Sequence, residues 1–112
     1  MYTEKEHDKI RDNFFDLLNA TGKIGETFLK HYELTYEDGA FDAKTKRIMA
    51  MVGALAAGCD GCIIGQAKRA IDLGATKEEI IEACMIAASI GGTMATSKAA
   101  GVVQLLKDKG MF

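Results

Sequence analysis

None of the 112 residues is proline, and the glycines fall mostly between stretches whose apolar residues recur every three or four positions. That combination predicts helices joined by short connections, because proline breaks helix interiors and helical spacing gathers apolar side chains on one face. A first helix is expected over about residues 3–20, with Ile10, Phe14, Leu17 and Leu18 in register, and Gly22 breaks it. A second, over about residues 24–36, places Phe28 and Tyr32 on one side before a turn at Asp38 and Gly39. Asp42 is the expected N-cap of a third, which carries Ile48, Met49, Val52, Leu55 and Ala56 and ends at Gly58. A fourth opens at the cysteines and runs to about Leu73, where Gly74 stops it. Thr76 and Glu79 form a T-x-x-E capping box for a fifth, with Ile80, Ile81, Cys84, Ala87 and Ala88 inward. Gly91 and Gly92 separate it from a sixth, with Ala95, Ala99, Val102 and Leu106 in register up to about Lys107. No segment reads as a strand and there is no internal repeat, so the fold class is all-α with about six helices.

A chain this short forms one domain, residues 1–112. Its 48% apolar content is rich in alanine, which suits close helix contacts within or between subunits, and a homo-oligomer is expected. A net charge of −2 and a pI near 5.6 leave no electrostatic footprint for nucleic acid or an anionic membrane. The segment over residues 1–10 is polar, with no apolar core of a secretion signal. The longest weakly polar run, residues 48–57, is too short to span a bilayer. These features point to the cytoplasm, where three cysteines in a small chain argue against a disulfide framework.

The most informative fragment is Gly58-Cys59-Asp60-Gly61-Cys62-Ile63-Ile64-Gly65-Gln66. At a helix start, residues three apart share a face, so Cys59 and Cys62 can close a small disulfide ring. Free backbone N–H groups and the positive end of the helix dipole also favour a thiolate there. One thiolate can then attack an oxidant or disulfide and the other can resolve the product. Two plainer fates compete: buried small hydrophobes, or half of a zinc site. Zinc needs four ligands, and Cys84, His7 and His31 lack the spacing to complete a set. Cys84 lies on an apolar face and is assigned to the core. Lys44, Lys46 and Arg47 read as a solvated helix end in preference to an anion site, with an ordinary surface or interface ion pair as the plainer reading of Arg47.

The stretch over residues 41–106 resembles the carboxymuconolactone decarboxylase family, in particular its alkylhydroperoxidase D-like branch. The resemblance is carried by Asp42-Ala43-Lys44-Thr45-Lys46, by Cys59-x-x-Cys62, by Ala70-x-x-x-Gly74-Ala75-Thr76-x-x-Glu79-Ile80, and by Gly91-Gly92, in that order and spacing. It implies an alkylhydroperoxidase D-like all-helical fold, symmetric trimers or hexamers, and thiol peroxidase or disulfide reductase activity. It also implies that Cys62 is the nucleophile and Cys59 the resolving cysteine. Two positions depart from the branch. The histidine expected four residues after the second cysteine is Gln66, and the glutamate expected twelve residues before the first is Arg47. Neither an amide nor a guanidinium can act as a general base. Arg47 can instead favour a thiolate electrostatically, Gln66 can hydrogen-bond sulfur or substrate, and His31 can supply an imidazole from a neighbouring helix or subunit.

Three functions follow as candidates. The first is a thiol-dependent oxidoreductase of peroxidase, peroxiredoxin or disulfide reductase type, cycling Cys59 and Cys62 between dithiol and disulfide. It has no nucleotide or flavin motif, so no cofactor or metal is expected and electrons arrive from a thiol reductant or redox partner protein. The second is decarboxylation of a muconolactone-type acid, in which the cysteines have no role. The third is a non-catalytic oligomeric scaffold or binding module.

Overall fold

The computed structural model describes residues 3–112; Met1 and Tyr2, which open the polar N-terminal segment, lie outside the described residues. Five helices follow one another: α1 (Glu4–Ala20), α2 (Lys23–Thr35), α3 (Ala43–Ala57), α4 (Asp60–Asp72) and α5 (Lys77–Asp108). The described residues contain no strand. The expected fifth and sixth helices run on as α5, whose only departure from helical geometry is Gly92, at φ 60°. Glycine reaches that φ without a Cβ clash, so the helix can change direction there and resume one residue later.

The helix ends are built locally. Thr3 and Thr76 each accept from the backbone N–H of the third residue on, and Glu6 and Glu79 return the bond to the cap's own N–H. Asp42 accepts from Thr45 N–H at 2.7 Å and opens α3. At the far end of α3, Gly58 sits at φ 75°, Gly58 N–H donates to Leu55 O and Cys59 N–H donates to Ala54 O at 3.0 Å. This paired closure satisfies two orphan carbonyls and turns the chain so tightly that α4 begins at Asp60.

The core lies between α3, α4 and α5, with Met51, Leu55, Ile63, Ile80, Val102 and Leu106 fully buried. Small residues set the spacing between α3 and α5. A Cβ added at Gly91 would fall 3.3 Å from Ala56 Cα, so the two backbones meet almost directly there. The expected inward residues Ala95, Ala99, Val102 and Leu106 are all buried, as are Ile80, Cys84 and Ala87. By length and composition α5 would also suffice to cross a bilayer, yet here it is broken at Gly92 and supplies much of this core.

α1 and α2 depart from expectation. They pack on each other, and α1 also touches α4, but Ile10, Phe14, Leu17 and Phe28 remain exposed. The buried residue of α1 is His7. In α3 the buried face is Arg47, Met51, Ala54 and Leu55, while the expected Met49 is half exposed.

Candidate functional site

The turn after α3 places the two cysteines. Cys59 is the N-cap of α4 and Cys62 lies in its first turn; their Cα atoms are 5.3 Å apart and their sulfurs are joined in a disulfide. Cys59 is partly covered and Cys62 is exposed. The Cys59 side chain makes no capping hydrogen bond to the first turn of α4. Asp60, between the cysteines, receives a 2.7 Å bond from Lys98 of α5, and that bond holds its carboxyl below the usual range.

One turn after Cys62 stands Gln66, and it is buried. So is Arg47 of α3, contrary to the expected solvated helix end. Arg47 Nη1 donates to Gln66 Oε1 at 3.0 Å and to Tyr32 Oη at 2.8 Å. Gln66 Nε2 donates to Tyr32 Oη at 2.7 Å and to Tyr36 Oη at 3.3 Å. The guanidinium carbon lies 3.6 Å from the Tyr36 ring centroid and 5.2 Å from that of Tyr32, within cation–π range of both. The whole amide of Gln66 is thus engaged, as a buried amide must be. Burial pushes the Tyr36 hydroxyl above its usual pKa, with Tyr32 adding to the shift and Arg47 opposing it.

The structure therefore unites Arg47 with Gln66, one helical turn after Cys62 in α4, as a network of donors and hydroxyls in place of a carboxylate–imidazole relay. His31 stays exposed on α2, and no side-chain bond ties it to this network. Its neighbour Tyr32 is the residue that reaches in. Lys44 and Lys46 are not merely solvated: Lys44 pairs with Glu79 at 3.0 Å, and Lys46 donates to the carbonyls of Thr35 and Glu37. Cys84 is buried as expected, and burial pushes its thiol up to about 11, which keeps it protonated and unreactive.

Sequence reasoning missed Tyr32 and Tyr36 as site residues, and it missed the place of His7. Four residues apart, Tyr32 in α2 and Tyr36 at its C-cap form one aromatic edge with ring centroids 4.9 Å apart, a spacing that does show in the sequence. His7 reaches across from α1 and lies against α4, its Nε2 3.3 Å from where a Cβ on Gly65 would sit. Burial holds its pKa below 6.5, reinforced by Lys68, while the Gly61 backbone and Asp8 act the other way. Its Nδ1 is buried with no partner among the described residues.

Known proteins share this arrangement of helices. A crystal structure of a carboxymuconolactone decarboxylase family protein from Legionella pneumophila superposes with a TM-score of 0.83, at 28% identity over 90% of both chains. A Thermotoga maritima protein of the same family, described as "possibly involved in antioxidative response", gives a TM-score of 0.71 at 32% identity, over 76% of this chain and 88% of that one. An uncharacterised protein of the cox locus in Paracoccus denitrificans is 34% identical over 89 residues, 80% of each chain. The family model for carboxymuconolactone decarboxylases matches residues 22–105, which take in α3, α4, the cysteine pair and the Arg47–Gln66 network. The chain belongs to the carboxymuconolactone decarboxylase family.

Proposed function

We propose that the protein is a thiol-dependent oxidoreductase that cycles Cys59 and Cys62 between dithiol and disulfide. The observation that carries this reading is the closed pair at the start of α4, with Cys62 an exposed residue and Cys59 a partly covered one. In the reduced chain the Cys62 thiolate attacks one sulfur of a substrate disulfide and the first substrate thiolate leaves. Cys59 then attacks the Cys62 sulfur of the mixed disulfide and expels the second thiol. Two electrons pass from the pair to the substrate, and a thiol reductant or redox partner protein in the cytoplasm restores the dithiol. The positive end of the α4 dipole and the buried Arg47 cation favour the attacking thiolate.

Disulfides suit this site better than peroxides. A departing thiolate is a stable leaving group, whereas cleavage of an O–O bond leaves hydroxide or alkoxide that must be protonated. Gln66 and Arg47 do not shuttle protons near neutrality, and Tyr36 is a weaker acid than a free tyrosine. Peroxide reduction is therefore the slower branch of the same chemistry. The antioxidative description of the Thermotoga relative accords with thiol redox work of either kind.

Trapping separates the two cysteines. Cys59→Ser is expected to accumulate a mixed disulfide on Cys62 when exposed to a small disulfide, while Cys62→Ser is expected to be inert. Intact-mass spectrometry reads both. An adduct on Cys62→Ser and none on Cys59→Ser would reverse the roles, and no adduct on either would end the redox reading.

A further inference from the structure

Arg47 is more than nine-tenths buried, carries a permanent charge and has no carboxylate partner among the described residues. Every other cation of the described residues in an ion pair (Lys44, Lys68, Lys98 and Lys109) keeps a quarter or so of its contact with solvent or pairs with Asp or Glu at the surface. Burying a guanidinium costs several kcal/mol, and neutral acceptors recover only part of it. The disposition of its donors shows what is missing. Nη1 is fully used by Tyr32 and Gln66, and one face of the plane is covered by Tyr36. Among the described residues Nε and Nη2 make no hydrogen bond, yet the one sealed and unpartnered side-chain nitrogen or oxygen there is His7 Nδ1. The unused edge of Arg47 is therefore open to an incoming group. That edge offers two parallel N–H donors, the geometry that a carboxylate accepts with both oxygens. Gln66, which holds Nη1, lies one helical turn from Cys62.

We propose that Arg47 anchors a carboxylate-binding subsite beside the Cys59–Cys62 pair, and that the disulfide reduced there carries a carboxylate. The inference rests on the oxidoreductase reading for its redox part only, because a carboxylate can bind the oxidised chain whether or not it turns over. Tyr32 and Gln66 are positioning residues: both hold Nη1 and so fix the guanidinium plane. The reaction is the exchange already described, with the chain's dithiol oxidised and the anionic disulfide reduced to two thiols.

Two measurements test it. Pre-reduced protein is mixed in single turnover with 3,3′-dithiodipropionate, with neutral 2-hydroxyethyl disulfide and with cationic cystamine, each rate being normalised to attack on the same probe by free 2-mercaptoethanol. The anionic probe is expected to lead the neutral one by about tenfold or more, a gain typical of one charge-assisted bidentate contact. Arg47→Met should collapse that ratio towards one, and Arg47→Lys should leave an intermediate value. A wild-type ratio at or below one overturns the subsite and assigns the guanidinium to the Cys62 thiolate instead. The second measurement uses the air-oxidised wild type, which has no thiolate at the pair. Sodium propionate should shift the Gln66 side-chain amide resonances saturably, at up to tens of millimolar, and propionamide should not. Equal response to both compounds, or none, overturns the proposal without reference to redox activity. If all three disulfides are inert while propionate still binds, the oxidoreductase reading fails and the anion site stands. Both wild-type tests hold even if Arg47→Met does not fold.

Discussion

At the scale of single residues, the decisive exchange is a proton relay for a hydrogen-bonded cation. Gln66 and Arg47 satisfy each other and the hydroxyls of Tyr32 and Tyr36, so neither serves the cysteines as a base; the imidazole packed on this stretch of α4 is that of His7, against Gly61 and Gly65. Installing the family pattern with Gln66→His and Arg47→Glu together should raise peroxide consumption by about tenfold or more, since a positioned general base contributes roughly 10²–10⁴-fold. Gln66→His alone should gain less, because the nearby guanidinium opposes the imidazolium that proton transfer creates. Peroxide loss followed across pH with a dithiol reductant checks this, provided both variants stay folded. A double mutant that gains nothing would mean that another base already serves Cys62. The sequence showed the loss of the relay but not what replaced it. Arg47 stands beside Lys44 and Lys46 in a run that looks solvated, and its burial depends on two tyrosines contributed by the preceding helix. Such a cage is a tertiary fact, invisible in the local run of charges.

At the scale of elements, the cysteine turn was legible because its determinants are local. A glycine with positive φ, a cysteine at the N-cap and a second cysteine three residues on suffice to fix it. The capping residues Asp42 and Thr76 were legible for the same reason. The α1–α4 contact was not, since a lone histidine in a charged amphipathic helix gives no sign of which neighbour it meets. That contact carries a pH dependence. The His7 pKa is held below its unfolded value of 6.5, chiefly by burial, with Lys68 and Arg11 adding to the effect and Asp8 and the Gly61 backbone opposing it. The unfolded chain therefore binds this proton first, and stability present above pH 6.5 is lost as pH falls through 6.5 and on past the folded pKa. The depressed carboxylates Asp42, Asp60 and Glu79 act in the same direction but below their ordinary values of 3.8 to 4.5, in a separate window. Urea midpoints measured between pH 7.5 and 5 should fall for the wild type and stay flatter for His7→Leu. Parallel curves would show that His7 does not carry the effect.

For the whole molecule, the helical fold was read correctly from proline-free periodicity, but the partition of its apolar residues was not. Ile10, Phe14, Leu17, Ile24 and Phe28 of α1 and α2, and Met85, Ile86 and Ile90 of α5, remain exposed in the single chain. The accessible surface is 6784 Å², against about 6000 Å² for a folded monomer of this mass. Periodicity marks a residue as facing something apolar; it does not tell one's own core from another copy of the chain. We therefore expect a homo-oligomer, and light scattering returning 12.1 kDa at micromolar concentration would contradict this. The central claim is that the Cys59–Cys62 bridge is a working redox couple rather than a fixed brace. The most direct test mixes fully reduced protein with 2-hydroxyethyl disulfide and counts products in one turnover. Two equivalents of thiol are expected per chain, with the Cys59–Cys62 disulfide formed, Cys84 untouched, and full recovery on adding dithiol. Release of no thiol, or a bridge that forms once and resists a dithiol, would contradict it.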